Sequence, residues 1–312
     1  MQKLELFVNG TPYPFYQADL SYSVEQLAHT FSCKIPPMNI RSALPVEFRL
    51  NDTLILSGQI DQVDSATATR SHDITITGRS KSANMIDSRI TMDALYEQNV
   101  EKLLRSLARP FGLNVISRVT SMPLIPEFQI NAESPVENVA QIIREQGLML
   151  IERNGTLTIE NTAHATLQGI GLSVGENVES LDISRTFNKR FHHVEVQGAW
   201  DDANAVITQP AINPARTMVI ICDQLQSAEA CLSRATYERD LSIARSLNVS
   251  TTIADVFQVL AIDGLNRVIQ VKDADQHFNE MLVIKALSLS VSESSASTHI
   301  ELCRPFREQS HA

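Results

Sequence analysis

Apolar and polar positions alternate with a period of two over much of the first 88 residues, the spacing of strands that bury one face. Leu4, Leu6 and Val8 lead into Asn9-Gly10, a hairpin pair suited to positive φ, and Val46, Phe48 and Leu50 alternate with Glu47 and Arg49. Leu54-Ile55-Leu56 runs through Ser57-Gly58 to Ile60 and Val63. Ile74 and Ile76 then alternate with Asp73, Thr75 and Thr77 in a strand expected to stop at Gly78. Val24 to Phe31 fits a short helix or a strand, and Pro36-Pro37 breaks the chain. Residues 1–88 therefore predict a small β-barrel or sandwich.

The period changes after residue 88. Val100, Leu103, Leu104, Leu107, Ala108 and Phe111 form the stripe of an amphipathic helix ending before Gly112, and Leu113, Val115, Phe128 and Ile130 read as strands. Ser134-Pro135-Val136-Glu137 is a capping box with proline at the first helical position. The helix it starts carries Val136, Val139, Ala140 and Ile143 and closes at Gly147. Leu148–Arg153 and Thr156–Glu160 flank Asn154-Gly155, a strong hairpin signal, so residues 89–165 predict a compact α/β domain.

Strands return from residue 166, with Val194–Gly198 and Thr217–Ile221. A helix is expected between Ser227 and Leu247, on Cys231, Leu232, Ala235, Ile243, Ala244 and Leu247, and Arg267 to Phe306 is β again. LILSGQIDQV followed by HDITITGR, at Leu54–Val63 and His72–Arg79, has the layout of LVIKALSLSV followed by HIELCR, at Leu282–Val291 and His299–Arg304. That layout predicts two related β units, against the alternative that two hairpins alternate alike by chance.

Composition narrows the function. With 312 residues, 43% hydrophobic and 20% charged, the chain has enough material for several domains, and no apolar run reaches the roughly 18 residues of a bilayer span. The start, MQKLELFVNG, goes straight into a strand-and-turn pattern instead of a signal peptide, so a cytosolic product is expected. Cys33, Cys222, Cys231 and Cys303 lack metal-ligand spacing and read as free thiols. A formal net charge of −10 argues against a surface built to hold nucleic acid, though not against one past which nucleic acid slides.

Candidate chemistry is sparse. Gly78-Arg79-Ser80-Lys81 sets two cations and a hydroxyl beside a glycine, but a phosphate loop needs a second glycine and a following helix, so a basic turn at a strand end is the simpler reading. His192 and His193 are adjacent and point to opposite faces of any strand, and His164, His277 and His299 have no partner at ligand spacing. No HExxH, GxSxG or EF-hand pattern occurs, and Asp201-Asp202 lies in a turn-like segment, so neither a catalytic site nor a metal or cofactor is expected. The densest basic run, RTFNKR, contains Arg185, Lys189 and Arg190; it reads either as a solvated strand edge or as a contact with an acidic neighbouring subunit.

GRSKSANMIDSR at Gly78–Arg89 resembles the signature of the 43 kDa tail protein of Mu-like contractile phages, the baseplate hub. Further similarities follow in the same order: FGLNV at Phe111–Val115, FQINAESPVENVAQIIREQGLML at Phe128–Leu150, NGTLTI, SRTFNKRFHHVEVQG at Ser184–Gly198, and EMLVIKALSLSVSESSASTHIELCRPF at Glu280–Phe306. Asn84 stands where that family usually has aspartate and Leu265 where tryptophan is common, departures that bear on subfamily only.

The resemblance implies an α+β multidomain fold: a first β-barrel (1–88), an α/β domain (89–165), a second barrel (166–199 plus 262–312) and a smaller helix-containing domain inserted at 200–261. It implies a non-enzymatic homotrimer in the tail baseplate, assembled in the bacterial cytoplasm. Its partners would be the tail tube protein and the central spike protein, with genome DNA passing through its channel without sequence-specific binding or membrane insertion. Two similar barrels in each of three chains would present pseudo-sixfold symmetry to a hexameric tube and threefold symmetry to a trimeric spike. Gly78 would let the chain leave the first barrel while Arg79 and Lys81 contact a neighbour or Asp87; Arg185, Lys189 and Arg190 are the second candidate interface. Two alternatives remain: a tail-associated cell-wall hydrolase, and the spike base of a type VI secretion-like machine, which is expected to need a C-terminal needle beyond what 312 residues hold.

Overall fold

The computed structural model describes residues 3–305 apart from 69, 70, 121, 123, 147, 164 and 224, so the expectations for Gly147 and His164, and for Phe306 as the last β residue, lie outside the described residues. It is a mixed α+β fold made mostly of strands. In chain order the elements are β1 (Leu4–Val8), β2 (Thr11–Tyr13), β3 (Gln17–Ser23), β4 (Thr30–Ile35), β5 (Pro45–Leu50), β6 (Thr53–Ala68), β7 (Ser71–Ser80) and α1 (Ala83–Asp87). Then come β8 (Ile90–Asn99), α2 (Val100–Ala108), β9 (Asn114–Ser117), β10 (Leu124–Glu133), α3 (Pro135–Glu145), β11 (Leu148–Arg153), β12 (Thr156–Asn161) and β13 (Ala165–Ser173). The rest are β14 (Asp182–Arg185), β15 (His193–Gln197), β16 (Asn204–Thr208), β17 (Thr217–Ile221), α4 (Ala228–Ala244), β18 (Leu247–Ile253), α5 (Gln258–Asp263), β19 (Arg267–Asp273), β20 (Phe278–Ser292) and β21 (Ala296–Cys303).

A 13-stranded sheet dominates, with the path β14-β18-β21-β20-β3-β4-β7-β6-β5-β1-β2, and β19 joining β20 to β13. Its apolar positions share one core, in which Leu20, Phe31, Phe48 and Ile76 from the N-terminal strands lie in the same cluster as Val249, Leu287, Ile300 and Leu302. Among the described residues the path does not close on itself. Within it one pairing order occurs twice: β3-β4-β7-β6-β5 is matched by β14-β18-β21-β20-β19, every pair antiparallel.

Even the bulges correspond, between Ile60 and Gln62 in the first run and between Ile284 and Ala286 in the second. The repeat suggested by the sequence is therefore present in the pairing, but the residue match differs. Strand pairing sets Ile60 against Ile284, four positions away from the match of Leu54 with Leu282, and Ile76 against Ile300, three positions away from the match of His72 with His299. Alternation has a period of two, so the slip of four in the first strand leaves its inside-outside pattern unchanged, while the slip of three in the second, counted from the two histidines, inverts it.

Gly78 does not end its strand, contrary to expectation. It pairs with Phe31 on β4 and Ile60 on β6, and a Cβ there would lie 2.0 Å from the Gln59 carbonyl oxygen and 2.6 Å from Phe31 Cζ. The glycine is required by close packing instead of by a turn. The segment from Val24 holds turns, and the strand begins only at Thr30.

The helices follow their caps. Asn99 accepts from the Lys102 amide to start α2, Ser134 from the Val136 amide to start α3, and Ser227 from the Ala230 amide to start α4. Leu103, Leu104 and Leu107 of α2 and Val139 and Ile143 of α3 meet Leu157 and Ile159 in a second core. Cys231 and Ala235 of α4 cover Val194 and Val196 of the sheet β16-β15-β17 in a third. Leu232, placed on the expected stripe of α4, is exposed.

Candidate functional site

The stretch after Gly78 is held at a seam between the large sheet and the β11-β12 hairpin. The Asn154-Gly155 turn, with φ of 53° and 78°, folds β12 back on β11 and brings the Gly155 amide to donate to Glu152 Oε1 at 3.2 Å. Glu152 is 1% exposed. Its other oxygen accepts from Ser80 Oγ at 2.5 Å, from the Ser82 amide at 3.3 Å and from Ser82 Oγ. Ser80 ends β7 and Ser82 lies in the turn before α1; both are buried, while Lys81 between them is exposed. The carboxylate is thus compensated by two hydroxyls and two amides.

His29 completes the seam. Its amide donates to Ser80 Oγ at 2.9 Å, its carbonyl accepts from the Ser80 amide at 2.8 Å, and its Nε2 lies 2.8 Å from the Glu152 carbonyl oxygen. Nε2 must carry the proton, because a carbonyl only accepts, and Nδ1 is buried without a hydrogen-bond partner. Burial pushes the His29 pKa down, against the raising pull of Glu152. Serine, histidine and carboxylate meet here without making an activated nucleophile, since the imidazole faces a carbonyl and both hydroxyls donate into a buried acid.

Arg79 is spent within the chain. Its Nε donates to Asp61 at 2.7 Å, and its two terminal nitrogens donate to the carboxylate of Asp87 at 3.1 and 2.6 Å. The hydrogen bonds that Arg79 donates to Asp87 and then to Asp61 raise its own pKa, and those to Asp87 hold that carboxyl below the usual carboxylate range. A fork bound to two acids has little left for an anion, which disposes of the phosphate-loop reading. Asp61 is the bulge residue of β6, so the bulge aims it at Arg79.

The second cationic group lies elsewhere. Arg185, at the end of β14, sits over the Phe278 ring at 5.9 Å, Lys189 is exposed, and the Arg190 carbonyl accepts from Arg216 Nε at 2.9 Å. Phe187, between them, is 70% exposed. Gly78, Arg79, Lys81 and Asp87 are therefore brought together, Arg185, Lys189 and Arg190 form a separate surface, and His192 and His193 face different partners: His192 Nδ1 the Gln209 and Ile212 carbonyls, His193 Nε2 the Glu195 carboxylate at 3.2 Å.

A second seam had no sequence signal. Glu160, fully buried, meets Arg153 at 2.9 Å and Arg118 at 3.2 Å, and Asp263 meets Arg153 at 3.0 Å, Arg118 at 3.3 Å and Arg267 at 2.5 Å. Asn266, held at φ 60°, donates to Glu160 Oε1 at 2.9 Å and accepts from the Ala163 amide at 2.7 Å. Burial works to raise the Asp263 pKa, but the hydrogen bond from Arg267 and the charges of three arginines bring it below the usual value. Burial lowers the Arg153 pKa against the pull of Glu160 and Asp263. The network ties α5 and β19 to the β9, β11 and β12 sheet. Its five charged members come from three separated stretches of the chain, Arg118, Arg153 with Glu160, and Asp263 with Arg267, each reading as an ordinary surface charge.

Solved structures with this fold include phage and prophage tail proteins and a component of a type VI secretion system, the E. coli c3393 protein, which matches with a TM-score of 0.66 at 11% identity over 97% of this chain and 77% of that one. The 43 kDa tail protein of prophage MuSo2 from Shewanella oneidensis matches with a TM-score of 0.88 at 20% identity, over 98% of this chain and 99% of that one. The tail protein from Neisseria meningitidis MC58 matches with a TM-score of 0.84 at 16% identity, over 97% of this chain and 96% of that one. In sequence the chain is similar to baseplate hub protein gp44 of Escherichia phage Mu, 26% identical over an alignment of 259 positions that covers 74% of this chain and 68% of that protein. The resemblance expected from the sequence thus appears in both kinds of comparison. No protein-family model matches the chain.

Proposed function

We propose that this chain is a structural hub of a contractile phage or prophage tail baseplate, a homotrimeric ring that adapts a hexameric tail tube to a trimeric central spike and leaves a channel for DNA. The observation that carries this reading is the pairing order present twice in one chain, taken with the similarity to a baseplate hub protein. Three chains with two like units each can offer six like surfaces on one side and three on the other. The four parts are the two barrels, 1–88 and 166–199 plus 262–312, the α/β domain 89–165 between them, and the inserted domain 200–261.

In this reading the protein is not an enzyme, needs no cofactor, is assembled in the host cytoplasm and resides in the virion tail. Lys81 and the surface of Arg185, Lys189 and Arg190 meet neighbouring subunits, while Gly78, Arg79 and Asp87 shape the seam behind Lys81. Light scattering and negative-stain images of the purified chain test the reading. A trimer with a central hole is expected; a strict monomer at high micromolar concentration overturns it. Clearing of peptidoglycan at catalytic rates would favour a cell-wall hydrolase instead.

A further inference from the structure

An open pocket of about 490 Å³ lies between the segment that follows β14 and the loop joining β16 to β17. Phe187, Asn188 and Arg190 line one side, and Ile212, Asn213 and Arg216 line the other. Contacts within the chain fix both loops. Gln209 Nε2 donates to the Phe191 carbonyl at 2.8 Å, and His192 Nδ1 lies 2.9 Å and 3.0 Å from the Gln209 and Ile212 carbonyl oxygens. The Arg216 amide donates to the Asn213 carbonyl at 3.0 Å. A pocket braced in this way needs little ordering to receive a ligand.

Its charge is one-sided. Two guanidinium groups line it and no acid among the described residues does, in a chain whose formal net charge is −10. Arg216 is held in place: its Nε donates to the Arg190 carbonyl at 2.9 Å, and its guanidinium sits over the Phe191 ring at 5.6 Å. Arg190 Nε is buried with no hydrogen-bond partner among the described residues. Arg79 makes the contrast, since Asp61 and Asp87 fill its fork. An unpaired, desolvated guanidinium edge is costly, and a carboxylate that accepts from it removes that cost with a charge-assisted bond. Beside the cations stand Ile212 and the ring of Phe187, which is 70% exposed.

We infer that this pocket receives an acidic side chain with an apolar neighbour, both from a segment of a partner protein other than this chain. The carboxylate accepts from Arg190 and Arg216, and the apolar neighbour covers Phe187 and Ile212. This rests on the interface reading of Arg190 given above and supplies the partner's chemistry. A free phosphate would satisfy the cations but leave the ring and Ile212 bare. A nucleic acid strand calls for a track of cations, whereas the lining adds only the two asparagines to its arginines. The pocket also lies outside the large sheet, whose repeated strand runs are the like units of the ring, so it is free to hold a different protein.

Fluorescence polarisation on the full chain, with a dye-labelled peptide alternating glutamate and leucine, tests this. At low salt the peptide is expected to bind with a Kd at or below about 1 mM, at least about tenfold tighter than the same peptide with glutamine for glutamate. Arg190→Gln and, separately, Phe187→Ala should each weaken binding at least about fivefold. Lys189→Ala, which removes an exposed cation that does not line the pocket, should change it less than about twofold. Equal affinity for the two peptides, or an equal loss in Lys189→Ala, overturns the site. Displacement of the peptide by a lower concentration of inorganic phosphate or of single-stranded oligothymidylate overturns the protein partner in favour of a free anion or a nucleic acid. Light scattering on the same samples keeps this inference apart from the hub reading. A trimer that does not bind the peptide overturns the pocket alone, and a monomer that binds it overturns the hub alone. Loss of the trimer in Arg190→Gln would mean that a second copy fills the pocket, which overturns the choice of partner.

Discussion

The hydroxyl of Ser80 and the carboxylate of Glu152 lie 2.5 Å apart although 72 positions separate them in the chain. That contact, with those from Ser82 and Gly155, fastens the end of β7 to the β11-β12 hairpin. Glu152→Ala would leave the Ser80 hydroxyl and the amides of Ser82 and Gly155 buried without an acceptor, while the Ser82 hydroxyl keeps the Leu27 carbonyl at 3.2 Å, a loss of about 3 kcal/mol. Glu152→Gln keeps one acceptor oxygen but turns an amide toward donors, and should cost about half as much. Urea denaturation of both variants, read by far-UV circular dichroism, checks the order; equal midpoints for Glu152→Ala and the parent chain would refute the seam.

The sequence carried this site only in part. Helix stripes, serine caps and the Asn154-Gly155 turn are local signals, and α2, α3 and the hairpin formed where they pointed. Arg79 and Asp87 were close enough in sequence to be suspected as partners. Glu152 was not legible, because an acid near the end of LMLIER reads as a solvated strand position. Only the arrival of Ser80 and Ser82 from another sheet makes it a buried acceptor. Gly78 misleads for a related reason. A glycine after alternating residues suggests a turn, whereas here the ring of Phe31 and the carbonyl of Gln59 occupy the space a Cβ would need.

Gly78→Ala follows from that geometry. A methyl group 2.0 Å from a backbone oxygen cannot be accommodated without moving β6 away from β7, a cost of about 2–3 kcal/mol. Adding Phe31→Leu should recover only part, because the Gln59 carbonyl stays in place. Full recovery in thermal unfolding would mean that the ring alone excludes the methyl group.

The network around Glu160 makes a different demand. Removing one buried partner strands the others, so Glu160→Leu, which leaves Arg153 and Asn266 facing an apolar side chain, should lose about 3–5 kcal/mol. Arg153→Met with Glu160→Leu should lose less than Glu160→Leu alone, since the uncompensated charge goes with its partner. A double-mutant cycle by chemical denaturation measures both, and a double variant worse than the sum of the singles would contradict this account.

Lys81 is exposed and Arg79 is satisfied within its own chain, so their joint replacement separates fold from assembly. Arg79→Ala with Lys81→Ala should change unfolding stability by no more than about 1 kcal/mol, as for other surface ion pairs. The same variant should lower the trimer fraction at low micromolar concentration. An unchanged sedimentation profile would remove Lys81 from the interface.

His29 gives the seam a pH signature. Its imidazole is lowered from the ordinary 6.5 by burial, it faces the charges of Glu152 and Arg153 and the ring of Tyr22, and its Nδ1 has no acceptor for a second proton. Above about pH 6.5 the histidine is neutral in both the folded and the unfolded chain and contributes no slope. Below it the unfolded chain takes up a proton that the folded chain refuses. Stability therefore falls with pH, by at most about 1.4 kcal/mol per unit, until the folded value is reached. Asp87 and Asp263 are both lowered from 3.8, so their loss belongs to more acidic solutions and leaves the window from pH 6.5 to 5 to the histidine. His29→Gln keeps a donor for the Glu152 carbonyl and has no proton to gain. Urea midpoints at pH 7.5 and 5 should converge in this variant while differing in the parent chain; an equal slope in both would assign the titration to another group.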